Sequence, residues 1–485
     1  MIQSLHILRK DLRHLWLDLL LYAALLIASS IVTPMIWNEA NISNTPLQLF
    51  AALLKVLIPL MWLILISRLI HDEALVGDTQ FWITRPYRWT SLLSAKLLFL
   101  LLCVMLPFAV MQWALVLQLS ANPLHTISGQ LLVLLSTTLI VWLPFTVAAS
   151  VTSVVQRMFL WLLVIVIVWG AVLTALGSAV GPRMPFPFAP ELMAIVIGAL
   201  LMGTLIYQFS SRDTRRSRIA FVATTVLFVV MFWSLEQGEI PGLVNFSVQH
   251  HYPLSTNGPL NLVFNPSAVP SQDAGTGEHT IGKLVIARLP ITLQGPGPIT
   301  QLDHQNVSFT IDAPGYHYTS PWRPADLLDD NLMLFLPQGA LHAAHGSNVH
   351  MHISEVAQRL MPGTPQMVTV ASEFRVPGNG SCRLPSRLSG DNVSCRYPYE
   401  IKLRTTIQGP VADDSCSSGS AHPGMETLGT RFSGNGLDPT INIPLRLGGK
   451  ICPGTQLTFT DYHPAENFLL ELDIPSISLD RYLVR

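Results

Sequence analysis

Few residues in this chain have the types and spacing that chemistry needs, and most of them gather in two places. The first is the stretch Arg68–Lys96, RLIHDEALVGDTQFWITRPYRWTSLLSAK. Its residues suit contact with another protein better than catalysis. Phe81, Trp82 and Trp89 are apolar anchors for a partner's groove, Asp78 and Arg85 are fixed charges that set register, and Arg85-Pro86 is a stiff link. The second place holds His342, His345, His350 and His352. On a strand, His350 and His352 share one face, an arrangement open to zinc or copper. Without a carboxylate or thiolate pair beside them in sequence they read as surface histidines, and no metal is assigned. Gly277–Leu284, GEHTIGKL, matches G-x-x-x-x-G-K. Leu284 stands where Ser or Thr should ligate magnesium, and no strand-to-helix context surrounds it, so the match is read as chance. No G-x-S-x-G elbow occurs, and no catalytic residue is assigned.

The elements that must position these residues follow from composition. Of 485 residues, 50% are hydrophobic and 12% charged, with mean hydropathy +0.42. A soluble protein carries about 25% charged residues. Residues 1–235 hold 14 Lys and Arg against 8 Asp and Glu, and residues 236–485 hold 15 against 22. The net charge of −1 therefore averages two unlike halves. In residues 1–16, Ile2, Leu5, Leu8, Leu12 and Leu15 recur opposite His6, Arg9, Lys10 and Arg13, which predicts an interfacial amphipathic helix. A cleaved signal peptide is the rival reading; it is disfavoured because the apolar run is long and no small-residue cleavage site follows.

Apolar segments long enough to cross about 30 Å of hydrocarbon occur near 17–37, 49–70, 93–118, 129–152, 158–180, 191–209 and 219–236, which predicts a seven-span domain over 17–236. With the amino terminus inside, the inner segments hold Arg9, Lys10, Arg13, Arg68, Arg85, Arg88, Lys96, Arg157, Arg212, Arg215, Arg216 and Arg218, and the outer loops only Arg183. That asymmetry is the positive-inside pattern, and it sends residues 237–485 outside. Lys55, in the outer third of the second span, reads as a lysine reaching for the interface. Pro59, Pro107 and Pro144 are expected to kink their helices.

Beyond residue 237 the helical period gives way to alternation. Val307, Phe309 and Ile311; Val368 and Val370; Ile401, Leu403, Thr405 and Ile407; and Leu470, Leu472 and Ile474 mark strands between Gly- and Pro-rich turns. A mainly β extracytoplasmic domain is expected, with 410–440 as a long loop. Cys382, Cys395, Cys416 and Cys452 suit two disulfides in an oxidising compartment, while Cys103 lies in a span. Pairing of neighbours, Cys382 with Cys395 and Cys416 with Cys452, closes the shortest loops. Asn41, Asn245, Asn306, Asn379 and Asn392 each open an N-x-S/T sequon.

The order of features over about residues 1–210 resembles the permease subunit of ABC type-2 exporters. An amphipathic helix leads into the first span, a short outer loop follows, and HDEALVGDTQFWITRPYRWTSLLSAKLLFLLL runs into the third span. By that resemblance Asp72, Gly77, Asp78, Phe81, Trp82, Thr84, Arg85 and Pro86 form the coupling segment that docks on a cytoplasmic ABC ATPase. The resemblance also implies a second permease copy, identical or homologous, and places ATP and magnesium on the ATPase rather than on this chain. The lipid bilayer is the other partner; no nucleic acid is expected. The seventh span and the outer domain depart from the six spans usual in that family. The expected function is export in an inner membrane, with transport rather than catalysis on this chain. The alternatives are a membrane-anchored binding or sensor protein and a tethered outer enzyme.

Overall fold

In the computed structural model the described residues are 2–38, 45–72, 88–119, 126–164, 167, 189–237, 261–268, 280–281, 284–294, 302–324, 326–328, 331–376, 380–384, 392–398, 404–412, 421–427, 439–446 and 451–483. They divide into two units. One comprises Met1–Ile165, Ala194–Val226 and Gly363–Tyr462; the other comprises Val166–Met193, Leu227–Pro362 and His463–Arg485.

The helices of the first unit follow the apolar runs. Helix α1 is Ile2–His14, α2 is Trp16–Asn38 and α3 is Thr45–His71. Helix α4, Trp89–Phe99, continues through a π-helical turn, Leu100–Met105, into α5, Leu106–Gln118. Helix α6, Ile127–Thr137, continues in the same way through Thr138–Trp142 into α7, Leu143–Val151. Each wide turn ends just before a Leu-Pro-Phe sequence. Proline brings no N–H and its ring clashes with the carbonyl four residues back; widening the turn before Pro107 and Pro144 relieves that clash and keeps the helix running.

Among the described residues four helical stretches are long and apolar enough to cross a membrane: Trp16–Trp37, Pro46–His71, Trp89–Gln118 and Ile127–Val151. They coincide with the first four expected spans, and this helical region is that of a multi-pass membrane protein. Leu17, Leu20, Leu21, Ile27 and Ile31 of α2, with Leu49, Leu53 and Val56 of α3, remain exposed, as suits hydrocarbon contact. The expected count of seven spans is not supported. Most of 158–180 lies outside the described residues. Around the sixth and seventh, Ala189–Ser211 and Thr214–Gln237 are helical. The described apolar stretch of the former is only Ile195–Ser211, and the latter opens on Arg215, Arg216 and Arg218, which use up its first turns.

The amphipathic face of α1 is rotated from the expected one. Ile7, Leu8, Asp11 and Leu15 are buried, while Leu5 and Leu12 are exposed. The face packed on protein thus takes one edge of the leucine stripe, Leu8 and Leu15, together with Ile7 and Asp11, and leaves the other edge, Leu5 and Leu12, for the interface.

In the β part of the first unit, Glu373–Val376, Gly380–Arg383, Asn392–Pro398 and Thr440–Arg446 make a four-stranded antiparallel sheet. Gln366–Thr369 and Arg404–Ala412 pair with the start of the long strand Gln456–Ile477. Val370, Phe374, Val393, Ile407, Leu457 and Phe459 form its core. Cys382 lies opposite Cys395 across two strands and is bonded to it, with Cα atoms 4.0 Å apart. Cys452 is also disulfide-bonded; its expected partner Cys416 lies outside the described residues. The expected loop over 410–440 contains a strand, Ala421–Thr427, paired with Arg404–Ala412. Backbone pairing with a neighbour formed it where side-chain alternation gave no signal.

In the second unit Leu302–Ala313 pairs with Tyr316–Thr319 and with Val349–Pro362. A second sheet holds Thr280–Ile281, Leu284–Leu289, Asn331–Pro337 and Asp326–Leu328. Val307, Phe309, Ile311, Leu334, Met351, Ile353, Leu470 and Ile474 share one core, as the alternation requires. The chance G-x-x-x-x-G-K match falls on the antiparallel pairing of Ile281 with Leu284, and no helix follows it.

Candidate functional site at the ends of the 68–96 segment

Helix α3 ends at His71 and α4 begins at Trp89, so the segment between them is defined by its two anchored ends. Three acidic or basic residues near the start of the chain reach those ends. Lys96 Nζ donates to Asp11 Oδ2 at 2.8 Å, and both side chains are almost wholly buried, at 2% and 4% exposure. Arg68 donates to Asp18 at 2.5 Å. His14 Nε2 lies 3.2 Å from Asp72 Oδ2. Ser4 and Ser94 hydroxyls share a hydrogen bond of 2.9 Å. Residues of α1 and the start of α2 therefore bond to the end of α3 and to α4, on both sides of the segment.

The other charges at this end are joined to the helices as well. His71 Nε2 lies 3.3 Å from Thr152 Oγ1, at the end of α7. Arg218 donates to the Val151 carbonyl at 2.9 Å. Asp213 accepts from the Arg216 backbone N–H at 3.1 Å and its carboxylate lies 3.2 Å from the Arg216 guanidinium, which caps the helix Thr214–Gln237. Arg9, Lys10, Arg13, Arg215 and Arg216 are exposed and Arg212 is half-buried. Exposed cations at this end of the helices are what headgroup phosphates or an acidic protein surface would meet.

No family model matches this chain, and no curated protein matches it. Of the residues singled out by the ABC permease resemblance, Asp72 is held by His14. Gly77, Asp78, Phe81, Trp82, Thr84, Arg85 and Pro86 lie outside the described residues. Asp11, His14 and Asp18 were not picked out from the sequence. The available signal was a pair of opposite charges on faces that are otherwise apolar: Asp11 beside Ile7, Leu8 and Leu15, and Lys96 beside Leu92, Leu93 and Phe99. Lys55 is exposed on the side of α3.

Elsewhere, the second unit brings together histidines and carboxylates from four strands. His350 Nε2 lies 2.8 Å from Asp473 and its Nδ1 lies 3.4 Å from Asp312. Asp312 also meets His317 at 2.5 Å, and Asp473 lies 3.7 Å from His352. An imidazole with a carboxylate at each nitrogen donates through both only when doubly protonated. Hydrogen bonds to Asp312 and then Asp473 accordingly raise the His350 pKa, and the bond from His317, then that from His350, lowers that of Asp312. Among the described residues no group of three or more His, Cys, Asp or Glu is arranged to hold a metal ion. His342 and His345 belong to another place: His345 Nδ1 lies 3.1 Å from Asp480, with His342 in the short helix Gln338–Ala344.

Proposed function

We propose that this chain is the membrane-spanning subunit of an ATP-driven exporter, with a separate ATPase acting on the segment between residues 68 and 96. The observation that carries this reading is the clasp: Asp11, His14 and Asp18 tie the start of the chain to Lys96, Asp72 and Arg68 at the two rims of one segment. A force-receiving element needs both ends fixed to the helices it moves, and these ion pairs supply that fixation. The exposed cations at this end of the helices suit an inner, cytoplasmic face under the positive-inside rule. ATP and magnesium belong to the partner, a second permease copy, identical or homologous, completes the path, and the β region faces the outer side.

Co-purification with candidate ATPases tests the reading. Replacement of Asp78, Trp82 and Arg85 together should abolish association, and association that survives all three changes sinks it. Sidedness is checked separately in intact cells. An impermeant maleimide should modify Met367→Cys, at a side chain that is 75% exposed, and spare Arg88→Cys. A second reading, a membrane-anchored sensor, draws on the exposed His350 chain of carboxylates and imidazoles and predicts no dependence on any ATPase.

A further inference from the structure

The two π-helical turns share a sequence, V-x-L-P-F-x-V, at Val104–Val110 and Val141–Val147. Leu106 N–H bonds to the Leu101 carbonyl and Leu143 N–H to that of Thr138, five residues back in each case. Pro107 brings no N–H to the Cys103 carbonyl four residues back. At the next residue a side chain enters the turn: the Tyr22 hydroxyl of α2 donates to the Val104 carbonyl at 3.0 Å. Trp62 of α3 in turn donates from Nε1 to the Tyr22 oxygen at 3.0 Å. The same indole stacks edge-on against Phe108 at 5.2 Å and Trp142 at 5.3 Å, and those two rings meet at 5.7 Å. Phe108 belongs to the first repeat and Trp142 to the second, so one side chain of α3 touches both repeats.

We infer that the repeats are a paired hinge, at which α5 and α6 pivot against α4 and α7, and that Tyr22 and Trp62 are its common latch. Wide turns lack the tight hydrogen-bond ladder that stiffens a helix, and they sit at matching places in consecutive spans. The aromatic cluster makes bending one turn disturb the other. The inference concerns motion within this chain and stands whether or not an ATPase drives it.

Hydrogen–deuterium exchange of the full chain in lipid nanodiscs, read on peptides covering 97–110 and 134–147, tests the hinge. Tyr22→Phe keeps the ring and removes the donor; exchange should rise about five- to tenfold in both peptides, the effect of one lost buried hydrogen bond. Pro107→Ala and Pro144→Ala restore a donor and remove the ring clash, and each should slow exchange in both peptides. A rise confined to 97–110 in Tyr22→Phe shows a local bond and overturns the pairing. Unchanged exchange in the proline variants overturns the hinge itself. Alanine favours helix over proline, so the proline variants keep the test open even if Tyr22→Phe does not fold.

Discussion

Removing one partner of the Asp11–Lys96 pair should cost more than any other single change at the charged end of the helices. The two groups meet at 2.8 Å with 2% and 4% of their side chains exposed, so neither can turn to water when the other is lost. Removing one member of a buried ion pair costs about 3–5 kcal/mol. At about 2 °C per kcal/mol for a unit of this size, Lys96→Met or Asp11→Leu should lower the unfolding midpoint by roughly 6–10 °C. The double variant replaces two charges by apolar side chains of similar bulk, and such replacements are often neutral or stabilising. It should return to within about 1 kcal/mol of the parent, which makes the coupling energy at least as large as the smaller single loss. The assay is thermal unfolding in detergent followed by tryptophan fluorescence. Single variants that cost less than about 1 kcal/mol, as exposed pairs do, would refute the buried-pair argument. So would a double variant whose loss is the sum of the two singles.

Other outcomes follow from the same description. Arg68→Ala should cost no more than about 1 kcal/mol in that assay, because the guanidinium is 42% exposed and solvent screens its pair with Asp18. The His350 chain makes the second unit's stability depend on pH. His350 is raised from 6.5, so its contribution is full below 6.5 and is lost as pH rises through the raised value. Asp312 is lowered from 3.8, so its contribution is full above 3.8 and is lost as pH falls through the lowered value. Denaturation midpoints should therefore peak between those limits, and His350→Gln should flatten the alkaline side. Replacing Cys382 and Cys395 by alanine opens a loop of sequence separation 13 and should cost about 3 kcal/mol by loop entropy, read as a fall in the denaturant midpoint.

Much of the helical half was legible because hydrocarbon demands an uninterrupted apolar run. Trp16–Trp37, Pro46–His71, Trp89–Gln118 and Ile127–Val151 stand where such runs do. The alternations at Val307–Ile311 and Leu470–Ile474 were legible for a similar reason: one face of each is buried. The strand Ala421–Thr427 was not, since it is specified by its pairing with Arg404–Ala412 and not by its own pattern. The clasp was hidden for a different reason. Asp11 and Lys96 each stand on an otherwise apolar helix face, but only the packing of α1 on α4 brings the two charges together. The aromatic latch likewise joins Tyr22, Trp62, Phe108 and Trp142, which no sequence period connects.

The strand Gln456–Ile477 has a consequence for synthesis. Leu457 and Phe459 fill the β core of one unit, and Phe468, Leu470 and Ile474 fill that of the other. Neither core can close until this strand has left the ribosome, so the earlier β segments must wait, exposed, for it. A chain cut anywhere before residue 456 leaves both interiors open at once, and proteases that patrol for unfinished products would find it from either side.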